Sequence, residues 1–105
     1  MTKEDYRIAK ELKKKLSKIV KILDFRVFGS RARGDAKRNS DMDVFIEVPT
    51  LNKSLKKKIR HVAWEVSFEH LIFISSRIFS KNQIEHSPLM ASPLIQNIFE
   101  EGIKI

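Results

Sequence analysis

The chain has 105 residues, 42% of them hydrophobic, no cysteine and a net charge of +8. This length predicts one minimal domain over residues 1–105 with a modest core, and the lack of cysteine excludes a disulfide framework or a thiolate metal site. The charge predicts a polyanionic partner: a nucleotide or acidic protein ahead of nucleic acid, because no aromatic platform interleaves with the basic residues.

Residues 3–23 read as one amphipathic helix. Ile8, Leu12, Leu16, Ile19 and Leu23 recur at helical spacing, and lysines form the opposite, solvated face. Thr2 is placed as its N-cap, with Asp5 three residues on. Asp24–Phe28 alternates as a first strand and runs into Gly29-Ser30. Glycine there permits a sharp turn and close approach of a ligand. Ser30 offers a hydroxyl and a backbone N–H where a single helical turn begins, a suitable place to hold phosphate. That turn runs to Arg33 and ends at Gly34. Arg31 and Arg33 carry guanidinium forks that match phosphate oxygens, and the alternative is that one pairs with Asp35. After a polar loop, Asp41 and Asp43 open a second apolar run, Val44–Val48. At the start of a strand both carboxylates project from one face. They repel unless a cation sits between them, and a hard ion such as Mg²⁺ meets that need. Ser40 is placed to orient Asp41.

Pro49 stops the strand. Thr50 is placed as N-cap of a helix from Leu51 to about Val66, with Leu55, Ile59, Val62 and Val66 inward and Trp64 assigned to the core. Residues 68–79 read as a third strand bent at Ser75-Ser76, covered on both faces. Ser80 caps a short turn through His86. Ser87-Pro88 and Ser92-Pro93 start helices, with Leu94, Ile95, Ile98 and Phe99 sharing one side of the last. Gly102 ends it, and Ile103 and Ile105 make a final short strand. No apolar run reaches the roughly 18 residues of a membrane span, and Met1–Asp5 lacks a signal-peptide core, which predicts a cytoplasmic protein. His61, His70 and His86 show no metal-ligand spacing.

Gly29-Ser30, ten residues, then Asp41-Met42-Asp43 resembles the signature of the nucleotidyltransferase superfamily with the DNA polymerase β-like fold. The fuller string Gly29-Ser30-Arg31-Ala32-Arg33-Gly34-Asp35 with Ser40-Asp41-Met42-Asp43 is similar to the minimal nucleotidyltransferases, the antitoxin halves of HEPN toxin–antitoxin pairs. Asn97–Gly102 is similar to the family's ending. The resemblance implies an α/β (α+β) fold, a small mixed sheet flanked by helices as in the polymerase β palm. It implies Mg²⁺ on Asp41 and Asp43, nucleotide at Gly29, Ser30, Arg31 and Arg33, ATP as donor, and a tyrosine hydroxyl of a HEPN toxin as acceptor of AMP. Active members use a third carboxylate on a later strand. Here Glu69 stands near that place and completes a catalytic trio with Asp41 and Asp43 if it faces them. If it points away, Leu71 fills the acid's position, and the chain neutralises its toxin by binding alone. A third reading is a basic nucleic-acid-binding module, with weak and salt-dependent RNA binding.

Overall fold

A computed structural model describes residues 1–105. In chain order the elements are α1 (Lys3–Leu16), β1 (Asp24–Phe28), α2 (Ser30–Arg33), β2 (Met42–Val48), α3 (Lys53–His70), β3 (Ile74–Ser80), α4 (Lys81–His86), a 3-10 turn (Pro88–Ala91), α5 (Pro93–Glu101) and β4 (Ile103–Lys104). The strands form one mixed sheet in the order β3-β2-β1-β4. β1 runs antiparallel to β2 and β4, while β2 and β3 are parallel. A parallel pair needs a long crossover, and α3 supplies it.

The strand period of two divides the sheet into two faces. Met42, Val44, Ile46 and Val48 of β2, with Phe25 and Val27 of β1 and Ile74 and Ile78 of β3, pack against α1 and α3 in the larger core. Phe45 points the other way and joins Ile84, Ile95 and Ile98 in a smaller core under α4 and α5. Every β2 residue except Asp43 and Glu47 is buried, so the strand is enclosed by apolar packing everywhere but at two acids. No helix is long and apolar enough to cross a membrane.

Several local expectations hold. Thr2 and Asp5 form a reciprocal cap, the Thr2 hydroxyl accepting the Asp5 amide at 3.0 Å and Asp5 accepting the Thr2 amide at 3.1 Å. Ser80 caps α4 in the same reciprocal way with Gln83. Proline stands at the start of both the 3-10 turn and α5. α2 covers Ser30–Arg33, and Gly34 closes it with φ 83°.

Five expectations change. α1 stops at Leu16 rather than residue 23. The Ser17 amide and hydroxyl both donate to the Lys13 carbonyl, and the chain then peels away until the Leu23 amide bonds the Glu47 carbonyl at 2.8 Å. Ile19 continues the helical spacing yet stays exposed. The cap of α3 is Asn52, which accepts the Leu55 amide at 2.8 Å, and not Thr50. The same helix runs four residues past Val66, to His70, where Leu71 closes it in the left-handed region. Residues 68–70 are therefore helix, and β3 begins only at Ile74 and passes straight through Ser75-Ser76. The run 68–74 is apolar enough for either element, and length alone does not divide it. Its division is made by the Ser67 hydroxyl, which donates to the Ala63 carbonyl and accepts the Ile74 amide, tying helix end to strand start. Finally, Trp64 is not in the core: it is 61% exposed.

Candidate active site

β1 delivers the chain to Gly29, and the register sets Phe28 opposite Asp43. The turn therefore sits directly over the start of β2. Gly29 has φ 76° and ψ −154°, a conformation open in practice only to glycine. A Cβ at that position would lie 2.5 Å from Asp43 Oδ2. The glycine is required twice, by its backbone angles and by the closeness of the carboxylate. Ser30 then opens α2 at the same place.

Asp43 is half-buried and Asp41 is exposed, one residue before β2. Burial pushes the Asp43 carboxyl above its ordinary range, the Asp41 charge adds to this, and Arg77 and Arg33 act against it. The two acids thus share one field, and the nearby arginines only partly offset their repulsion. Such a pair of hard oxygen donors fits a divalent cation of the Mg²⁺ type.

β3 lies on the far side of β2. Ser75 pairs with Asp43 and Arg77 with Phe45 in the parallel register. By the period of two, Ser75 and Arg77 face the same side as Asp43. An exposed arginine therefore stands beside the aspartates on the neighbouring strand. The sequence reading places Arg77 in a third strand over residues 68–79 but looks to Glu69 of that run for the third site group. The signal was the short polar string Ser75-Ser76-Arg77 inside an apolar run.

Glu69 is a correction. It is not on β3 but in the last turn of α3, where its carboxylate meets Lys15 of α1 at 3.5 Å. There it stands with Glu11 and His70, their ligand atoms within 4.8 Å of one another. α1 and α3 cover the face opposite the one Asp43 occupies. Leu71 does not take an acid's position either, since it is the helix cap.

Arg31 also departs from its expected role. Its guanidinium donates to Asp5 Oδ1 at 2.7 Å and twice to the Ser40 carbonyl, at 3.1 and 2.6 Å. Its side chain is 11% exposed and that of Asp5 5%. The residue is thus a buried clamp that holds the loop entering Asp41 against the start of α1. Ser40 contributes through this carbonyl, while its hydroxyl accepts the Lys37 amide at 2.8 Å. Arg33 is exposed and pairs with Asp35 at 3.2 Å and Glu101 at 3.3 Å. Those carboxylates hold its guanidinium pKa above the ordinary value. So the pairing with Asp35 falls to Arg33, and Gly29, Ser30, Arg33, Asp41 and Asp43 are the expected site residues gathered at one end of the sheet. His61, His70 and His86 each lie beside a glutamate, none of which is an aspartate of this site.

A family model described as a nucleotidyltransferase domain matches residues 8–105. The chain belongs to the nucleotidyltransferase domain family. It is accordingly a nucleotidyltransferase enzyme by class. A protein of Methanocaldococcus jannaschii named as a candidate protein adenylyltransferase is 45% identical over 83 residues, covering 74% of this chain and 82% of the relative. Among solved structures, a toxin–antitoxin complex with AMP-PNP superposes with a TM-score of 0.59 at 20% identity, covering 90% of this chain and 69% of the other. The mutant toxin–antitoxin pair MntA–HpeT gives 0.60 at 19% identity, with coverage of 95% and 70%. A candidate nucleotidyltransferase from Sulfolobus solfataricus gives 0.55 at 18% identity, with coverage of 93% and 76%. These superpositions establish the nucleotidyltransferase fold, the mixed sheet with flanking helices expected from the sequence.

Proposed function

We propose that this chain is an antitoxin that transfers AMP from ATP to a tyrosine hydroxyl of a HEPN-type partner toxin in the cytoplasm. The observation that carries the reading is the glycine turn pressed against Asp43, with Asp41 beside it and Arg33 and Arg77 around the pair. The name of the Methanocaldococcus jannaschii relative supports adenylyl transfer to protein. The two toxin–antitoxin neighbours, one of them with AMP-PNP, support a toxin partner and a nucleotide ligand.

The chain's own groups divide the work. Ser30 and the backbone at Gly29, where no side chain intrudes, hold the terminal phosphates. Asp41 and Asp43 would hold a divalent cation, which would supply positive charge to offset the charge that builds on the phosphates. Arg33 and Arg77 add to that charge, and both lie near enough to act on the Asp43 carboxyl. The acceptor oxygen attacks the α-phosphorus from the side opposite the leaving group. The bond to pyrophosphate breaks, pyrophosphate departs, and the acceptor's proton passes to solvent. Arg31 acts at one remove by fixing the loop that presents Asp41.

A second reading has its own observation. The β3 positions nearest Asp43 hold serine and arginine, and Glu69 faces Lys15 on the helical side. With no third acid at the pair, the chain would bind nucleotide and toxin without transferring AMP. Incubation with labelled ATP, Mg²⁺ and the protein encoded beside this one separates the two. Label on the partner that disappears with Asp41→Asn or Asp43→Asn supports transfer. Unlabelled but neutralised partner supports binding alone, and undiminished labelling in both variants removes the site assignment.

A further inference from the structure

α3 has a second apolar stripe that its own fold does not use. Opposite the buried Ile59, Ala63 and Val66, the rings of Trp64 and Phe68 stack with centroids 5.6 Å apart and planes 18° from parallel. His61 extends the stack, 6.2 Å from Trp64 at 20°. Leu71 and Phe73 continue the surface, and Leu71 is 90% exposed. Leu71 is also the only non-glycine residue with positive φ, at 53°. Glycine or asparagine fits that cap without strain, whereas leucine is strained there and gains no burial within this chain. A bulky apolar residue held at such a cost is accounted for by something that covers it. Exposed apolar patches of this kind mark interaction sites, and tryptophan is a frequent anchor in them.

The stripe forms one wall of a groove of about 520 Å3, and the start of β3 forms the other. Seven of its eleven lining residues are hydrophobic, none is acidic, and the one charged residue is Arg60. Lys57 lies one turn earlier on the same side of α3 and is exposed. Glu65 and Glu69, the acids of this helix, are already engaged by His61 and Lys15.

We infer that this groove docks an acidic amphipathic helix of a partner protein. Its apolar side chains seat between the Trp64–Phe68 stack and the start of β3, and its carboxylates meet Arg60 and Lys57. Charge selects this occupant. A second copy of the chain would set a net +8 against another +8, which disfavours self-association. A nucleic acid strand fits less well. Trp64 and Phe68 lie against each other with no gap for a base, and the groove is apolar where phosphates would need donors. The groove floor includes Ser75, the register partner of Asp43. A protein held there has its surface one strand from the aspartates. That use rests on the transfer reading above; the docking itself does not.

Trp64 is the chain's only tryptophan, so its fluorescence reports occupancy of the groove. The probe is a synthetic helix of about five turns with leucine at helical i, i+4, i+7 spacing and glutamate on its other side. Its controls are the same helix with lysine for glutamate, and a single-stranded oligonucleotide. The acidic helix is expected to shift Trp64 emission to the blue and saturate. Phe68→Ser, Leu71→Gly and the lysine control are each expected to weaken binding roughly tenfold or more. Leu71→Gly is also expected to raise the midpoint of thermal unfolding, so that weaker binding arrives with a more stable fold. No shift with the acidic helix, or equal binding of the lysine helix or the oligonucleotide, overturns the assignment. A dimer of the free chain that Leu71→Gly dissolves assigns the face to a second copy and also overturns it. Binding of Mg–ATP is followed in the same samples. Its absence beside intact helix binding removes the transfer reading and leaves docking standing; the reverse removes docking alone.

Discussion

Gly29 and Asp43 are a matched pair, and each limits what the other can be. Gly29→Ala meets a forbidden backbone region and a carboxylate oxygen 2.5 Å from the new Cβ. It should destabilise the fold by about 2 kcal/mol and displace Asp43, read by urea unfolding with and without Mg–ATP. Asp43 itself works against stability. Its carboxyl pKa is raised in the folded state, chiefly by burial and then by Asp41. The native state therefore binds more protons than the unfolded one through that range. The penalty is absent below the ordinary carboxylate range and grows as pH rises towards the raised value. Burial and the Asp24 charge raise Glu47 in the same direction. Asp43→Asn should then melt higher than the parent at neutral pH and show no gain in acid, while its affinity for Mn²⁺ or Mg²⁺ falls by on the order of tenfold or more. A melt series across pH, with and without the cation, checks both halves. Arg31 has the opposite character. Removing it strands a buried Asp5 and frees the loop before Asp41, so Arg31→Ala should cost about 3 kcal/mol. Lysine, lacking the fork that reaches both Asp5 and the Ser40 carbonyl, should recover only part.

Among the elements, β2 decides where chemistry can occur. Its even positions are buried against α1 and α3, and Phe45 anchors the other face to α4 and α5. Phe45 makes an edge contact with Phe99 at 5.5 Å and a tilted one with Phe79 at 5.8 Å. These contacts seal the sheet beneath the exposed end where Asp43 sits. Phe45→Ala should cost about 3–5 kcal/mol in urea unfolding. Because it lies two residues from Asp43, Mg–ATP affinity should fall with it. The C-terminal elements close the same sheet. Lys13 donates to the Ile105 carbonyl at 2.6 Å and the Ile105 amide to the Phe25 carbonyl at 2.9 Å, which pins β4 along β1.

At the scale of the molecule, a net +8 makes every anion a weak ligand and demands that specificity come from shape. In the function proposed above, nucleotide has the glycine turn and the acid pair. RNA has only the field, so its binding should be weak and should fall steeply between low and physiological salt, as titrations at several NaCl concentrations would show. RNA binding that persists at physiological salt with sequence preference would reverse that ranking.

The glycine turn, the acid pair, the single helical turn and the serine caps were legible in the sequence because each depends on residues within a few positions of one another. The mixed sheet was legible only through the resemblance that the Gly29-Ser30 and Asp41-Met42-Asp43 strings carry. Glu69, Arg31, Arg77 and Trp64 were not legible. Whether Glu69 belongs to helix or strand turns on a hydroxyl of Ser67 meeting the Ile74 amide. What Arg31 holds turns on Asp5, twenty-six residues away in sequence and buried beside it. The side of α3 that faces water is set by what α1 and the sheet already cover. Local preference names the turns and caps; which side chains meet across the sheet is decided only when distant segments compete for the same buried space.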